Sequence, residues 1–183
     1  GTQRMAQAVA GELGAVAQIQ DAAFADAFCT RTAPPGVPAM KKLLGRADPP
    51  EHIVIETSGL ALPQPLVRAF NWPEIKSRVT VDGVVTVVDA KALAEGRFAD
   101  DEEAVATQRS ADPSLEHENP IEELFEDQLN CADMVIVNKT DLLDGLESSQ
   151  VTGALKSKVR AGTRLVSTRH GAIDVAALLG VRA

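Results

Sequence analysis

From His52 onward the chain alternates between two kinds of segment. Short apolar or β-branched runs end in polar clusters, and a stretch with helical spacing follows each one. The runs are His52-Ile53-Val54-Ile55, Val84-Val85-Thr86-Val87-Val88, Met134-Val135-Ile136-Val137 and Arg164-Leu165-Val166-Ser167. The runs from His52 and Met134 read as buried strands, the run from Val84 carries the strongest strand signal, and Arg164 to Ser167 reads as a strand. Between and after them, Pro63 to Phe70, Ala90 to Gly96, Leu146 to Arg160 and Ala172 to Leu179 read as helices. The alternation predicts an α/β fold with a mostly parallel sheet flanked by helices. Ligands of such sheets bind beyond the carboxyl ends of the strands. Four polar clusters stand there: Glu56-Thr57-Ser58-Gly59, Asp89, Asn138-Lys139-Thr140-Asp141 and Ser167-Thr168-Arg169-His170-Gly171.

One further helix carries a start signal of its own. Asn119 can cap, Pro120 takes the first helical position and Glu122 sits where a capping box places its carboxylate. Ile121, Leu124, Phe125 and Leu129 then share one face. Cys131 closes that helix and is expected in the core. Residues 1–37 are Ala-rich with loose helical spacing, and they stay unassigned, expected to be helical or poorly ordered. Pro34-Pro35-Gly36-Val37-Pro38 interrupts them, and Ala39 to Arg46 reads as a short helix. The recognisable domain therefore runs over residues 38–183.

Charge narrows the function classes. The net charge is −8, and Asp100 to Asp127 hold eleven of the 26 acidic residues against one basic residue, Arg109. The remainder is nearly neutral. Such a balance argues against a nucleic-acid binder that works through a basic surface. No apolar run reaches the roughly 18–20 residues of a spanning helix. The acidic stretch reads as a solvated face, with Glu116, His117 and Glu118 as the residues a docking or metal-attracting surface would use. Two cysteines, Cys29 and Cys131, are too few for a disulfide framework and fit a reducing cytoplasm. No leader is expected in GTQRMAQAVAGEL, and the chain opens on Gly1 rather than Met, which leaves its natural start open.

Asn138-Lys139-Thr140-Asp141 matches N-K-x-D, a pattern that reads guanine. Guanine offers donors at N1 and N2 and acceptors at O6 and N7. One carboxylate, Asp141, can accept from both donors, Asn138 addresses the N7/O6 side, and the Lys139 stem can lie along the purine face. Adenine lacks the paired donors and would leave Asp141 desolvated and unpaired. Three fixed positions recur by chance in roughly 2% of chains this long, given ordinary residue usage. Glu56-x-x-Gly59 is a weaker signal that gains meaning from the strand before it. A strand-end carboxylate can hold Mg²⁺ through water, and a glycine three residues on lets a backbone N–H approach a γ-phosphate.

HIVIETSGLALPQPL, VDGVVTVVDA, GRFADD and PIEELFEDQLNCADMVIVNKTDL together resemble the CobW branch of the metal-associated P-loop GTPases, over about residues 38–180. The resemblance implies a P-loop NTPase-like G domain of SIMIBI type. It implies a GTP-dependent metallochaperone of the cytoplasm, with GTP and Mg²⁺ as cofactors and cobalt or zinc as the transition metal. For this branch it implies cobalt supply in cobalamin biosynthesis, with cobaltochelatase subunits as partners. Carried over by motif, Glu56 and Gly59 form the Mg²⁺ and γ-phosphate switch. Asn138, Lys139 and Asp141 are the base readers, and Ser167 contacts the base from the loop that closes the pocket. His170 is read as a loop residue.

Two of that family's motifs do not occur. There is no G-x-x-x-x-G-K-[ST]; Gly11 to Gln18 echoes it, but Val16, Ala17 and Gln18 stand where Gly, Lys and Thr are required. There is no C-x-C-C either, so no transition-metal ligands are assigned, and Cys29 alone makes no tetrahedral site. The domain is therefore expected to be N-terminally incomplete and to lack the family's C-terminal domain. GTP binding by this chain is expected to be weak and turnover negligible. Strand edges left uncovered predict instability or self-association. The alternative function is a truncated or degenerate module that keeps the fold without turning over GTP.

Overall fold

Met134–Asn138 is the strand around which the larger part of the chain is built: all five of its residues are buried. The computed structural model describes residues 19–20, 36–57, 59, 62–98, 121–179 and 181. In chain order the elements are β1 (Ile19–Gln20), α1 (Gly36–Leu44), β2 (Ile55–Glu56), α2 (Pro63–Ala69), α3 (Pro73–Lys76), β3 (Val85–Asp89), α4 (Ala90–Ala94), α5 (Ile121–Cys131), β4 (Met134–Asn138), α6 (Gly145–Lys158), β5 (Arg164–Ser167) and α7 (Val175–Leu178). A single 3₁₀ turn, Thr140–Leu142, follows β4. The chain divides into two compact units, one over residues 2–82 and one over residues 83–183.

The second unit holds the three-stranded sheet β3-β4-β5, parallel throughout. Val85 stands opposite Met134 and Asp89 opposite Asn138, while Ser167 stands opposite Val137. Three strand ends thus come out along one side of the sheet. The opposite ends are tied by Asp133. Its carboxylate accepts from the Val84 N–H at 2.9 Å and from Arg160 at 3.2 Å, and its N–H donates to the Val84 carbonyl at 2.9 Å.

Helices cover the sheet through paired apolar residues one turn apart. Phe125 and Leu129 of α5 and Val151 and Leu155 of α6 are buried in one cluster with Val88, Val135 and Val137. Ala90 and Ala132 join the same cluster fully buried, where a larger side chain would have to displace a neighbour. A cleft of about 200 Å³ opens beside this cluster, lined by Leu93, Phe98, Phe125, Leu155 and Lys158 among others. The Phe98 and Phe125 rings stand 5.2 Å apart in a tilted contact.

The start of α6 is fixed by a capping box. Asp144 accepts from the N–H groups of Leu146 (2.9 Å) and Glu147 (2.8 Å), and Glu147 accepts from the Asp144 N–H at 3.1 Å. The other Glu147 oxygen lies 3.4 Å from Lys91 Nζ and joins α6 to α4. That hydrogen bond is the main reason the Lys91 pKa is raised. At Gly83 the chain passes Val181 so closely that an added Cβ would lie 2.7 Å from the valine Cβ, which admits only glycine without rearrangement.

The unit of residues 2–82 is smaller. β1 and β2 pair in parallel, Ile19 opposite Ile55 and Gln20 opposite Glu56. Met40, Leu66 and Ile75 are buried together, with Ile53, Ile55, Phe70 and Trp72 packed against them. Pro63 and Pro73 each stand in a first turn, where the missing N–H costs no helical bond. Lys41 and Glu74 join α1 to α3 at 2.9 Å, and this hydrogen bond is the first cause of the lowered Glu74 pKa.

The parallel α/β reading is met: every described strand pair is parallel. The strands fall into two sheets, however. Among the described residues, the expected strand from His52 is paired at Ile55–Glu56, with β1 as its partner. The expected helix from Ala172 begins at Val175, since Asp174 extends the chain and caps it through the Ala176 N–H at 2.9 Å. Cys131 is half-buried rather than in the core. The expected cap residues Asn119 and Pro120, Cys29 and most of the acidic stretch lie outside the described residues.

Two stability predictions follow from this packing. Leu129 is fully buried in the main cluster, so Leu129→Ala should lower unfolding free energy by about 2–5 kcal/mol in urea titration. Leu124→Ala, at a half-buried position on the same helix, should lower it by a smaller amount. Asp144→Ala removes one half of the capping box and should cost about 1 kcal/mol, while Asp144→Asn should recover most of it; circular dichroism during denaturation reads both.

Candidate functional site

The carboxyl ends of β3, β4 and β5 bring Asp89, Asn138 and Ser167 to one side of the sheet. Two loops leave from there, Lys139 to Asp144 after β4 and Thr168 to Asp174 after β5. They are laced to each other and to the sheet. The Thr168 N–H donates to the Val137 carbonyl at 2.8 Å and prolongs the β4-β5 ladder by one rung. The Thr168 carbonyl in turn accepts from the Thr140 N–H at 3.3 Å and the Thr140 hydroxyl at 2.9 Å. The Thr168 hydroxyl donates to the Ala172 carbonyl and closes the second loop on itself.

Asn138 and Thr168 are the two buried polar residues among the described ones, 4% and 7% exposed. A buried amide has to be satisfied. The Asn138 Oδ1 accepts from the Gly171 N–H at 3.0 Å, a bond buried from solvent. The orientation of the amide is set by that bond: with Oδ1 engaged, the Nδ2 group is the half left to donate. A donor is what the O6 and N7 acceptors of guanine require.

The bond also dictates the shape of the second loop. To aim its N–H at Asn138, the chain turns through left-handed backbone at His170 (φ 55°) and Gly171 (φ 72°). Glycine takes that conformation without penalty, whereas histidine does so seldom. Lys139 is left-handed as well (φ 63°), turning the chain sharply out of β4. Its ammonium pairs with Asp89, whose side chain is 18% exposed. The other Asp89 oxygen caps α4 by accepting from the N–H groups of Lys91 (3.0 Å) and Ala92 (3.1 Å).

Asp141 opens the 3₁₀ turn after Lys139, its side chain 26% exposed. His170 Nε2 lies 3.7 Å from its Oδ2, a pairing that is ionic only when the imidazole is protonated. Ser167 is exposed at the end of β5. These residues present an amide donor, an accepting carboxylate and an aliphatic stem from one loop, held by a second loop. The polarity is the one a guanine edge demands.

Glu56 and Gly59 belong to the unit of residues 2–82. Glu56 ends β2, half-buried, and Gly59 lies in an exposed turn where an added Cβ would meet nothing within 4 Å. Among the described residues no group of three or more His, Cys, Asp or Glu side chains converges on a metal position. Glu116, His117 and Glu118 lie outside those residues. No helix among them is long and apolar enough to cross a membrane.

Residue-by-residue reading of the sequence did not give Asp89 a partner, nor Thr140, Thr168 and Gly171 a role. The Asp89 cap was open to detection, since an acid directly before Ala-Lys-Ala-Leu has the form of a helix start. The Asn138–Gly171 bond spans 33 residues. Its trace in the sequence is a glycine closing the polar cluster after β5.

Comparison with known proteins places the chain in a family. Residues 27–167 match the CobW/HypB/UreG nucleotide-binding domain. The chain is 52% identical over 154 residues to a zinc chaperone CobW of Sinorhizobium, covering 84% of this chain and 44% of that protein. It is 48% identical over 146 residues to a zinc chaperone CobW of Pseudomonas aeruginosa, covering 80% and 39%. A zinc-regulated GTPase metalloprotein activator 1 of Schizosaccharomyces pombe is 30% identical over 149 residues, covering 80% and 31%. The chain thus spans less than half the length of these relatives. No solved structure matches it. With most of its length inside the match, and with the strand-end loops of β4 and β5 falling within or directly after it, the chain belongs to the CobW/HypB/UreG nucleotide-binding domain family.

Proposed function

We propose that this chain is the guanine-reading portion of a GTP-dependent metal chaperone. The observation that carries the reading is the Asn138 amide, fixed by Gly171 so that its donor side remains for a base, with Asp141 three residues on. Asn138 donates to guanine O6 and N7, Asp141 accepts from N1–H and the N2 amine, and the Lys139 stem covers the ring face. Ser167 flanks the base from the end of β5. Glu56 holds Mg²⁺ through water, and the Gly59 N–H meets the γ-phosphate. Bound GTP–Mg²⁺ supplies the hydrolysis energy that a switch of this kind converts into metal release or delivery.

The names of the relatives favour zinc as the cargo. Cobalt delivery to a chelatase in cobalamin synthesis rests on the sequence resemblance alone, and a competition between the two ions for the longer protein separates them. The cytoplasm, with its free GTP and reduced thiols, suits either cargo.

Because no G-x-x-x-x-G-K-[ST] occurs in the sequence, affinity is expected to be weak while base preference persists. Amide-resolved NMR titration with GTP–Mg²⁺ at millimolar concentration should shift the signals of Asn138 to Asp141 and Ser167 to Gly171. ATP–Mg²⁺ should leave them unmoved. A chain that responds to neither nucleotide, or equally to both, sinks the reading. Asp141→Asn sets an amide N–H₂ against the guanine donors, and its GTP response should fall about tenfold or more. Xanthosine triphosphate, which carries a carbonyl at C2, should then be preferred.

A further inference from the structure

Lys139 stands between the two base readers, and its usefulness to a purine depends on where its stem lies. A free lysine stem samples many rotamers and offers no fixed face. Here three constraints act on it. Its left-handed backbone sets the direction in which the side chain leaves. Its ammonium pairs with one oxygen of Asp89. Asp89 is itself immobilised, because its other oxygen accepts from Lys91 N–H and Ala92 N–H at the start of α4. The Asp89 backbone is locked in the sheet opposite Asn138. The carboxylate is therefore a fixed point on the same strand-end edge that carries the amide reader.

Resting on the guanine reading above, we infer that Asp89 is a positioning residue for base recognition: it anchors the Lys139 ammonium so that the stem forms a preset platform beside the Asn138 and Asp141 readers. The division of labour within the carboxylate makes this more than a cap. Oδ1 alone serves the helix, and Oδ2 serves Lys139. Binding to a preset platform avoids the ordering cost that an unanchored lysine would incur at the moment of binding. α4 is in turn fastened to α6 through Lys91 and Glu147, 3.4 Å apart, so the anchor has a rigid base.

The two roles can be separated by substitution. Asparagine caps helices as well as aspartate does, so Asp89→Asn keeps the acceptor for α4 and removes the charge that holds Lys139. The melting temperature of Asp89→Asn should stay close to that of the parent chain. Its GTP response in the NMR titration, read as the initial slope, should fall about three- to tenfold. Without nucleotide, the Lys139 side-chain ammonium signal, slowed in exchange by its partner, should be lost. Lys139→Met should lower the GTP slope too, and adding Asp89→Asn to it should lower the slope no further.

The inference is overturned if Asp89→Asn leaves the slope unchanged. It is overturned as well if the two substitutions act additively, or if Asp89→Asn lowers the melting temperature as far as Asp89→Ala does. A parent chain that fails to distinguish GTP from ATP instead overturns the guanine reading. In that case the nucleotide-free ammonium signal still decides whether Asp89 holds Lys139.

Discussion

Strand β4 is buried along its whole length, and it ends in an amide that is buried as well. That combination places one demand on everything around it. Four apolar residues gain from being removed from water, but the fifth, Asn138, carries polar atoms that would cost roughly 1–3 kcal/mol if left unpaired. The Gly171 N–H meets the demand on the Oδ1 side. The loop that delivers it has to turn through two left-handed residues, which explains its shape and its terminal glycine. The hydrogen bond that satisfies the buried amide is also the one that sets its orientation.

From that bond the order spreads in both directions along the strand ends. Thr168 extends the sheet by one rung and accepts twice from Thr140, so the loop after β4 cannot shift without the loop after β5. On the other side Asp89 joins β3 to Lys139. The helices contribute at one remove. Val151 and Leu155 of α6 lie in the cluster that holds Val135 and Val137, and the cap Asp144, three residues after Asp141, fixes where α6 begins. Loop conformation at the site is thereby referred back to the densest part of the interior.

The elements that local pattern specifies were legible in the amino-acid sequence. β3, β4 and β5 fall where their apolar and β-branched runs stand, because strand preference of that kind is local; β4 alone is buried throughout, while β5 keeps Arg164 and Ser167 exposed. Asn138, Lys139 and Asp141 are contiguous, and a contiguous motif at a strand end is visible as such. What long-range partners decide was not legible. Among the described residues, the strand from His52 is paired at Ile55–Glu56, through a partner more than thirty positions earlier in the chain. The helix near the C-terminus starts late because Asp174 stays extended and its side chain caps the helix through the Ala176 N–H. The Asp89–Lys139 pair and the Asn138–Gly171 bond join residues 50 and 33 positions apart. Neither partner advertises the other, since lysines and glycines at loop ends serve many ends.

Base selection and phosphate binding draw on different parts of the chemistry. Phosphate contacts are charge-assisted, individually strong, and common to every nucleoside triphosphate. They raise affinity for GTP and ATP alike. Base readers add less affinity, but the penalty for the wrong base is large, because a carboxylate or amide is then left unpaired. Asn138, Lys139 and Asp141, with the partners that hold them, all belong to the unit of residues 83–183, whereas Glu56 and Gly59 belong to that of residues 2–82. The contacts that hold Asn138 and Lys139 are each made inside a single unit. On the proposed reading, the preference for one purine over another is therefore a property that the unit of residues 83–183 can hold by itself.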